Sequence, residues 1–67
     1  MDSRDLEYVM AIARTGSFSQ GAQMLFISQP ALSQYIRRLE KNLGVTLFYR
    51  NRNKVELSPA GAYYVKK

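Results

Sequence analysis

Cysteine and histidine are both absent from the 67 residues. Without thiols no disulfide can staple the chain, and without thiolate or imidazole ligands zinc fingers and ribbons are excluded. The same absences remove the common nucleophile–base pairs. The few carboxylates are not paired at a spacing suited to acid–base work, so catalysis is rejected. Long apolar runs are missing too: none approaches the roughly 18 residues that a membrane helix requires. The acidic N-terminus lacks the continuous apolar stretch of a signal peptide. The expectation is a cytoplasmic chain with no membrane segment and no enzymatic activity. Acidic residues are also scarce in the second half. Residues 1–36 carry two basic and three acidic side chains, whereas residues 37–67 carry eight basic and two acidic, so the net +5 arises wholly from the second half. A solvated charge coat would be more evenly mixed, and the asymmetry favours a polyanionic partner.

What is present suffices for one small domain. Apolar residues make up 46% of the chain, an ordinary globular share that argues against disorder. A chain of this length buries only about 60% of the surface its unfolded form exposes. Further stability therefore has to come from a partner subunit or from the rest of a longer chain.

The pattern along the chain predicts three helices, a hairpin and the start of a fourth helix. Over Arg4 to Thr15, Leu6, Val9, Met10 and Ala13 form an i, i+3, i+4, i+7 stripe with Ile12 at its edge. Asp2 or Ser3 caps this helix, Asp5 and Glu7 suit its first turn, and Gly16 ends it. Ser17 and Gln20 form an S-x-x-Q capping box opening a short helix over Phe18 to Leu25. Phe26 and Ile27 then separate it from a second cap, Ser28. That turn contains no Gly or Pro, and Pro30, which belongs in a first helical turn, decides the boundary. From Gln29 to Asn42, Leu32, Tyr35, Ile36, Leu39 and Leu43 fall within about 100° of one another around the helix. Pro30, Ser33, Gln34, Arg37 and Lys41 gather on the other side, and Gly44 stops the helix. Then the period changes. Val45–Tyr49 and Lys54–Leu57 read as two strands around the polar tip Arg50-Asn51-Arg52-Asn53. Ser58-Pro59 starts a last helix that runs to the end of the sequence. The expected core is Leu6, Met10, Phe18, Ala22, Leu25, Ile27, Leu32, Ile36, Leu39 and Leu47.

A short helix, a tight turn, a long helix with a polar face, a basic hairpin and a capped final helix follow the layout of a winged helix-turn-helix. The strings GSFSQGAQML, SQPALSQYIRRLEKNLGVTLFYR and ELSPAG, with their spacing preserved across essentially the whole chain, resemble the N-terminal domain of LysR-type bacterial transcriptional regulators. That resemblance implies a mainly α fold with a three-helix core, a two-stranded wing and the start of a linker helix. The domain would span 1–58, with its helix-turn-helix over 18–37 and its wing over 46–57; residues 59–67 would begin a truncated linker or dimerisation helix. It further implies binding of double-stranded DNA, a homodimer through the linker helix, and higher oligomers of the full-length protein. No cofactor is implied for this segment, while a small-molecule effector is implied for a C-terminal domain not contained in it. Two residues depart from the commonest family pattern. Gly21 stands where Ala is frequent, costing the helix at most roughly 1 kcal/mol. Gln34 stands where Arg is common in the recognition helix, so a relative's base preference does not transfer.

The residues expected to meet DNA are Ser28, Gln29, Pro30, Ser33, Gln34, Arg37, Arg50, Arg52, Asn53 and Lys54. Ser28 and the N–H groups at the positive end of the recognition helix, 29–42, suit a phosphate, while Ser28 also serves as a cap. Gln29 can be bidentate to adenine, and Ser33, Gln34 and Arg37 extend the same face. The plain alternative is a wet helix surface. Arg50, Arg52, Asn53 and Lys54 form a basic wing suited to the backbone or an adjacent narrow minor groove, against the alternative of a solubilising tip. Arg38, Glu40 and Lys41 read as surface charge or backbone steering, and Tyr63, Tyr64 and Val65 as a dimer seam. A winged helix can also bind protein, but its third helix would then present aromatic or Leu anchors, and here it presents Gln, Ser and Arg.

Overall fold

The computed structural model describes residues 3–51 and 54–66. Six elements follow in chain order: α1 (Ser3–Thr15), α2 (Phe18–Leu25), α3 (Gln29–Leu43), β1 (Phe48–Asn51), β2 (Lys54–Leu57) and α4 (Pro59–Lys66). Most boundaries fall where the punctuation places them. Gly16 at φ 67° and Gly44 at φ 73° end α1 and α3 in the left-handed conformation that glycine adopts without a Cβ penalty. The Ser17 hydroxyl accepts the Gln20 N–H (3.1 Å) and the Ser28 hydroxyl accepts the Ala31 N–H (3.2 Å). The expected capping box forms only on its serine side. Ser17 N–H donates instead to Thr15 Oγ1 (3.3 Å), which itself donates back to the Ala11 carbonyl (2.9 Å).

The core differs from the expected one on α1. Val9, Ala11 and Ile12 are buried there, while Leu6 and Met10 are only half-buried. A single-stripe reading presumes one covered face, but α1 packs against α2, α3, β2 and α4 at once, and this turns its buried side toward Ile12. With these sit Phe18 and Ala22 of α2, Leu32, Ile36 and Leu39 of α3, Leu47 and Phe48 at the wing base, and Tyr64 of α4. Leu25 and Ile27 pack on the edge of this cluster. Leu32 and Ile36 are wholly inaccessible to solvent, and burial of each is worth about 1.5–3 kcal/mol. A second link joins α1 to α3: the Tyr35 hydroxyl donates to Asp5 Oδ1, and the Tyr35 and Tyr8 rings lie 4.4 Å apart between centroids.

The strands are antiparallel, with Phe48 opposite Leu57, Tyr49 opposite Glu56, Arg50 opposite Val55 and Asn51 opposite Lys54. The first strand thus starts at Phe48, later than the expected Val45. Val45 and Leu47 send their N–H groups to Glu40 instead of into a ladder, and the N–H of Phe48, where β1 begins, reaches the same carboxylate as that of Leu47. Tyr64 also departs from its expected place, since it is buried in the domain's own core, whereas its neighbour Tyr63 is 64% exposed.

Candidate nucleic-acid interface

Helix α3 has two contrasting sides. Leu32, Ile36 and Leu39 anchor it to the core. Ser28, Gln29, Pro30, Gln34, Arg37, Arg38 and Lys41 are exposed, with Ser33 half-exposed among them. The side chains expected to read bases therefore share one solvent face of a helix fixed from behind. Gln29 Nε2 donates to Ser33 Oγ at 2.8 Å across one helical turn. That bond holds the Gln29 amide in a set orientation, leaving its second amide hydrogen and its carbonyl oxygen for a base edge. Ser28 is a cap, as its hydroxyl oxygen serves Ala31 N–H, and its own O–H remains able to donate to an anion. Gln34, Arg37, Arg38 and Lys41 line a shallow surface trough along α3, which gathers three cations beside the polar face.

The wing contributes Arg50 and Lys54, both exposed. Of the expected tip, residues 50–53, Arg50 and Asn51 belong to β1, and Arg52 and Asn53 lie outside the described residues. Arg50 is placed by the fold: its guanidinium carbon sits 4.3 Å from the centroid of the Phe18 ring, which meets Phe48 edge-on at 5.9 Å. This cation–π contact ties the wing to the first residue of α2. On the other strand, Val55 N–H donates to the Gly16 carbonyl (3.3 Å) in the α1–α2 turn.

Two features escaped the pattern reading. Phe26 takes φ 59° in the turn between α2 and α3, closing α2 with its N–H toward the Ala22 and Gln23 carbonyls. Its side chain is 94% exposed. No local rule places a bulky residue in the left-handed region, where glycine or asparagine is usual. The second is Glu40, read as surface charge, whose carboxylate accepts the N–H of Leu47 (2.7 Å) and of Phe48 (3.3 Å). An acidic residue seven positions ahead of its partner leaves no periodic signal.

This arrangement can be compared with known proteins. The sequence profile of the "bacterial regulatory helix-turn-helix protein, lysR family" matches residues 3–62. The chain belongs to that family. It is 46% identical over 67 residues to the HTH-type transcriptional regulator YcgK of Bacillus subtilis (strain 168), covering all of this chain and 21% of that protein. It is 49% identical over 65 residues to the HTH-type transcriptional regulator BudR of Klebsiella aerogenes, covering 96% of this chain and 46% of that protein. The chain thus spans less than half the length of these LysR-type relatives. Among solved structures, the DNA-binding domain of BenM in complex with benA site 1 DNA superposes with a TM-score of 0.91 at 36% identity, covering 98% of this chain and 74% of that one. The CbnR DNA-binding domain in its DNA complex gives 0.90 at 35% identity, covering 98% and 76%. The winged helix-turn-helix layout is therefore that of LysR-type regulators, with four helices and a two-stranded antiparallel sheet among the described residues. Among the same residues, no helix is long and apolar enough to cross a membrane.

Proposed function

We propose that this chain is the DNA-binding domain of a LysR-type transcriptional regulator and binds double-stranded DNA sequence-specifically, with α3 in the major groove. The observation that carries this reading is the exposed Gln29–Ser33–Gln34–Arg37 face on a helix whose opposite side is buried. Major-groove readout needs donors and acceptors held rigidly at base edges. Ser33 holds the Gln29 amide at 2.8 Å, so Gln29 loses little freedom on engaging adenine N6 and N7. Ser28 and Pro30 bring the α3 N-terminus close to the groove, where the Ser28 hydroxyl serves a phosphate. Arg37 and the trough cations beside it grip the backbone. Arg50 and Lys54, with Arg52 and Asn53 of the same loop, contact the flanking backbone or minor groove. Nothing in this role requires a catalytic step or a cofactor. A small-molecule effector belongs to the remainder of a longer LysR-type protein acting in the cytoplasm.

Dimerisation belongs to the same proposal. Tyr63 on α4 is 64% exposed and is the candidate seam residue, with Tyr64 withdrawn into the core. A two-fold dimer would read half-sites on one face of the duplex about one helical turn, or a multiple of it, apart. Selection of bound duplexes from a random pool tests the reading. The expected result is a symmetric consensus, and Gln34→Ala should lose the preference at one symmetric position. Binding should weaken with salt at a logarithmic slope of about −0.9 per phosphate neutralised. A pool that yields no consensus rejects sequence-specific DNA binding by this chain, and an affinity indifferent to salt rejects its phosphate contacts.

A further inference from the structure

Residues 37–67 hold eight basic side chains but only two acidic ones, Glu40 and Glu56. A carboxylate on α3 is a cost for a helix that approaches a polyanion, so what Glu40 does instead matters. It is half-buried, and its backbone and side chain collect four N–H groups from the segment that leaves α3. The Glu40 carbonyl accepts from Gly44 (2.8 Å) and Val45 (3.2 Å), and Oε2 accepts from Leu47 (2.7 Å) and Phe48 (3.3 Å). Hydrogen bonds from backbone N–H to an ionised carboxylate are among the stronger ones available to a protein.

The clamp extends beyond these bonds. The Leu47 carbonyl accepts the Ser58 N–H (2.9 Å), the Ser58 hydroxyl donates to the Thr46 carbonyl, and the same hydroxyl oxygen accepts Gly61 N–H (2.9 Å). Leu47 is wholly buried and Ser58 is 2% exposed. One side chain of α3 thus fixes the peptide at which β1 begins, and that peptide in turn holds the start of α4. The strands themselves are short and largely exposed. An isolated two-stranded hairpin is marginal in water, so the direction of the wing is set at its base.

We propose that Glu40 is a positioning residue for DNA binding: by clamping Leu47 and Phe48 N–H it sets the angle between the recognition helix and the wing. The wing cations then reach the backbone while α3 lies in the groove. This rests on the DNA-binding reading for its consequence, but the clamp itself can be observed without DNA.

The test uses the chain with a duplex selected as above, and the variants Glu40→Ala, Glu40→Asp and Glu40→Gln. In Glu40→Ala the salt slope should become shallower by about 0.9 or more, the equivalent of at least one lost phosphate contact. Lys54→Ala should weaken binding in the parent and have at least a threefold smaller effect in the Glu40→Ala background, while Gln29→Ala keeps its full effect. Glu40→Gln retains an acceptor oxygen and should restore most of the Lys54 dependence. If Glu40→Ala does not fold, Glu40→Asp, which is one methylene short of both N–H groups, carries the same comparison. An undiminished Lys54→Ala effect, or Glu40→Gln no better than Glu40→Ala, overturns the proposal. In the absence of DNA, amide exchange of Leu47 and Phe48 should be at least tenfold faster in Glu40→Ala or Glu40→Asp than in the parent. Unchanged protection of those two amides overturns the clamp even if the parent binds DNA, and lost protection upholds the clamp even if the parent binds no duplex.

Discussion

Helix α3 carries its own start and stop, whereas the wing takes most of its anchors from elsewhere in the chain. Ser28 caps α3, Pro30 occupies its first turn and Gly44 ends it, all within the helix or one residue of it. The wing is held by Glu40 on α3, the Gly16 carbonyl after α1, the Phe18 ring on α2 and Ser58 before α4. Local determinants make an element that forms wherever its apolar face is covered. Remote ones make an element whose direction depends on every neighbour being in place. The division suits a DNA reader, because base readout needs a rigid helix whereas backbone contacts tolerate adjustment.

The largest effect should come from the core beneath α3. Leu32 is wholly inaccessible and lies behind the polar face. Leu32→Ala removes buried methyl groups and leaves a cavity, a change that costs about 2–5 kcal/mol. In a chain this short that is a large part of the total stability, so the melting transition should move down as one cooperative event. A two-step transition, with α3 lost before the wing, would show that the two regions are less coupled than the shared core implies.

Gly61 probes the remote side of the comparison. A methyl group there would run into the Leu47 carbonyl oxygen and stand 2.8 Å from Leu57 Cδ2. The Leu47 carbonyl is backbone already engaged by Ser58 N–H, so little can yield. Overpacking of this kind typically costs about 1–3 kcal/mol. Gly61→Ala should therefore destabilise, and hydrogen exchange should quicken first at Leu47, Phe48 and Val55. If instead the amides of α1 to α3 quicken equally, the wing base is not the separate joint described above.

The same division explains what was legible in the sequence. The extent of α2 and the start of α3, with its reader face, could be read because caps and helical periodicity lie within a few residues of one another. Arg50 reads as one of the wing cations, and its cation–π contact with Phe18 joins residues with no shared period. Sequence places the start of β1 too early because Val45-Thr46-Leu47 has β-branched, apolar chemistry, yet the N–H groups of Val45 and Leu47 are drawn to Glu40. The α1 stripe was turned because α1 is covered by several elements, and Tyr64 was assigned outward because periodicity cannot say which side of a short helix meets its own domain. Glu40 and the Tyr35–Asp5 bond join residues with no shared period. Of the residues expected to meet DNA, the fold gathers Ser28, Gln29, Pro30, Ser33, Gln34 and Arg37 on α3 and puts Arg50 and Lys54 on the wing.

The smallest effect concerns the one punctuation mark in the helix-turn-helix that breaks the local rule. Phe26 stands at φ 59°, in the position that closes α2, and with 94% of its side chain exposed it gains almost no burial there. A left-handed conformation costs an L-residue roughly 1–2 kcal/mol, and glycine gives back part of that through its own larger loss of freedom on folding. Phe26→Gly should therefore stabilise the chain by about 0.5–1 kcal/mol, measured by urea unfolding. Gly44→Ala, at φ 73° with open space around it, should destabilise by a similar amount, since only the conformational term differs. If Phe26→Gly lowers stability, the phenyl ring is packing on the chain after all. The α2–α3 turn would then belong with the wing, among the parts held from a distance.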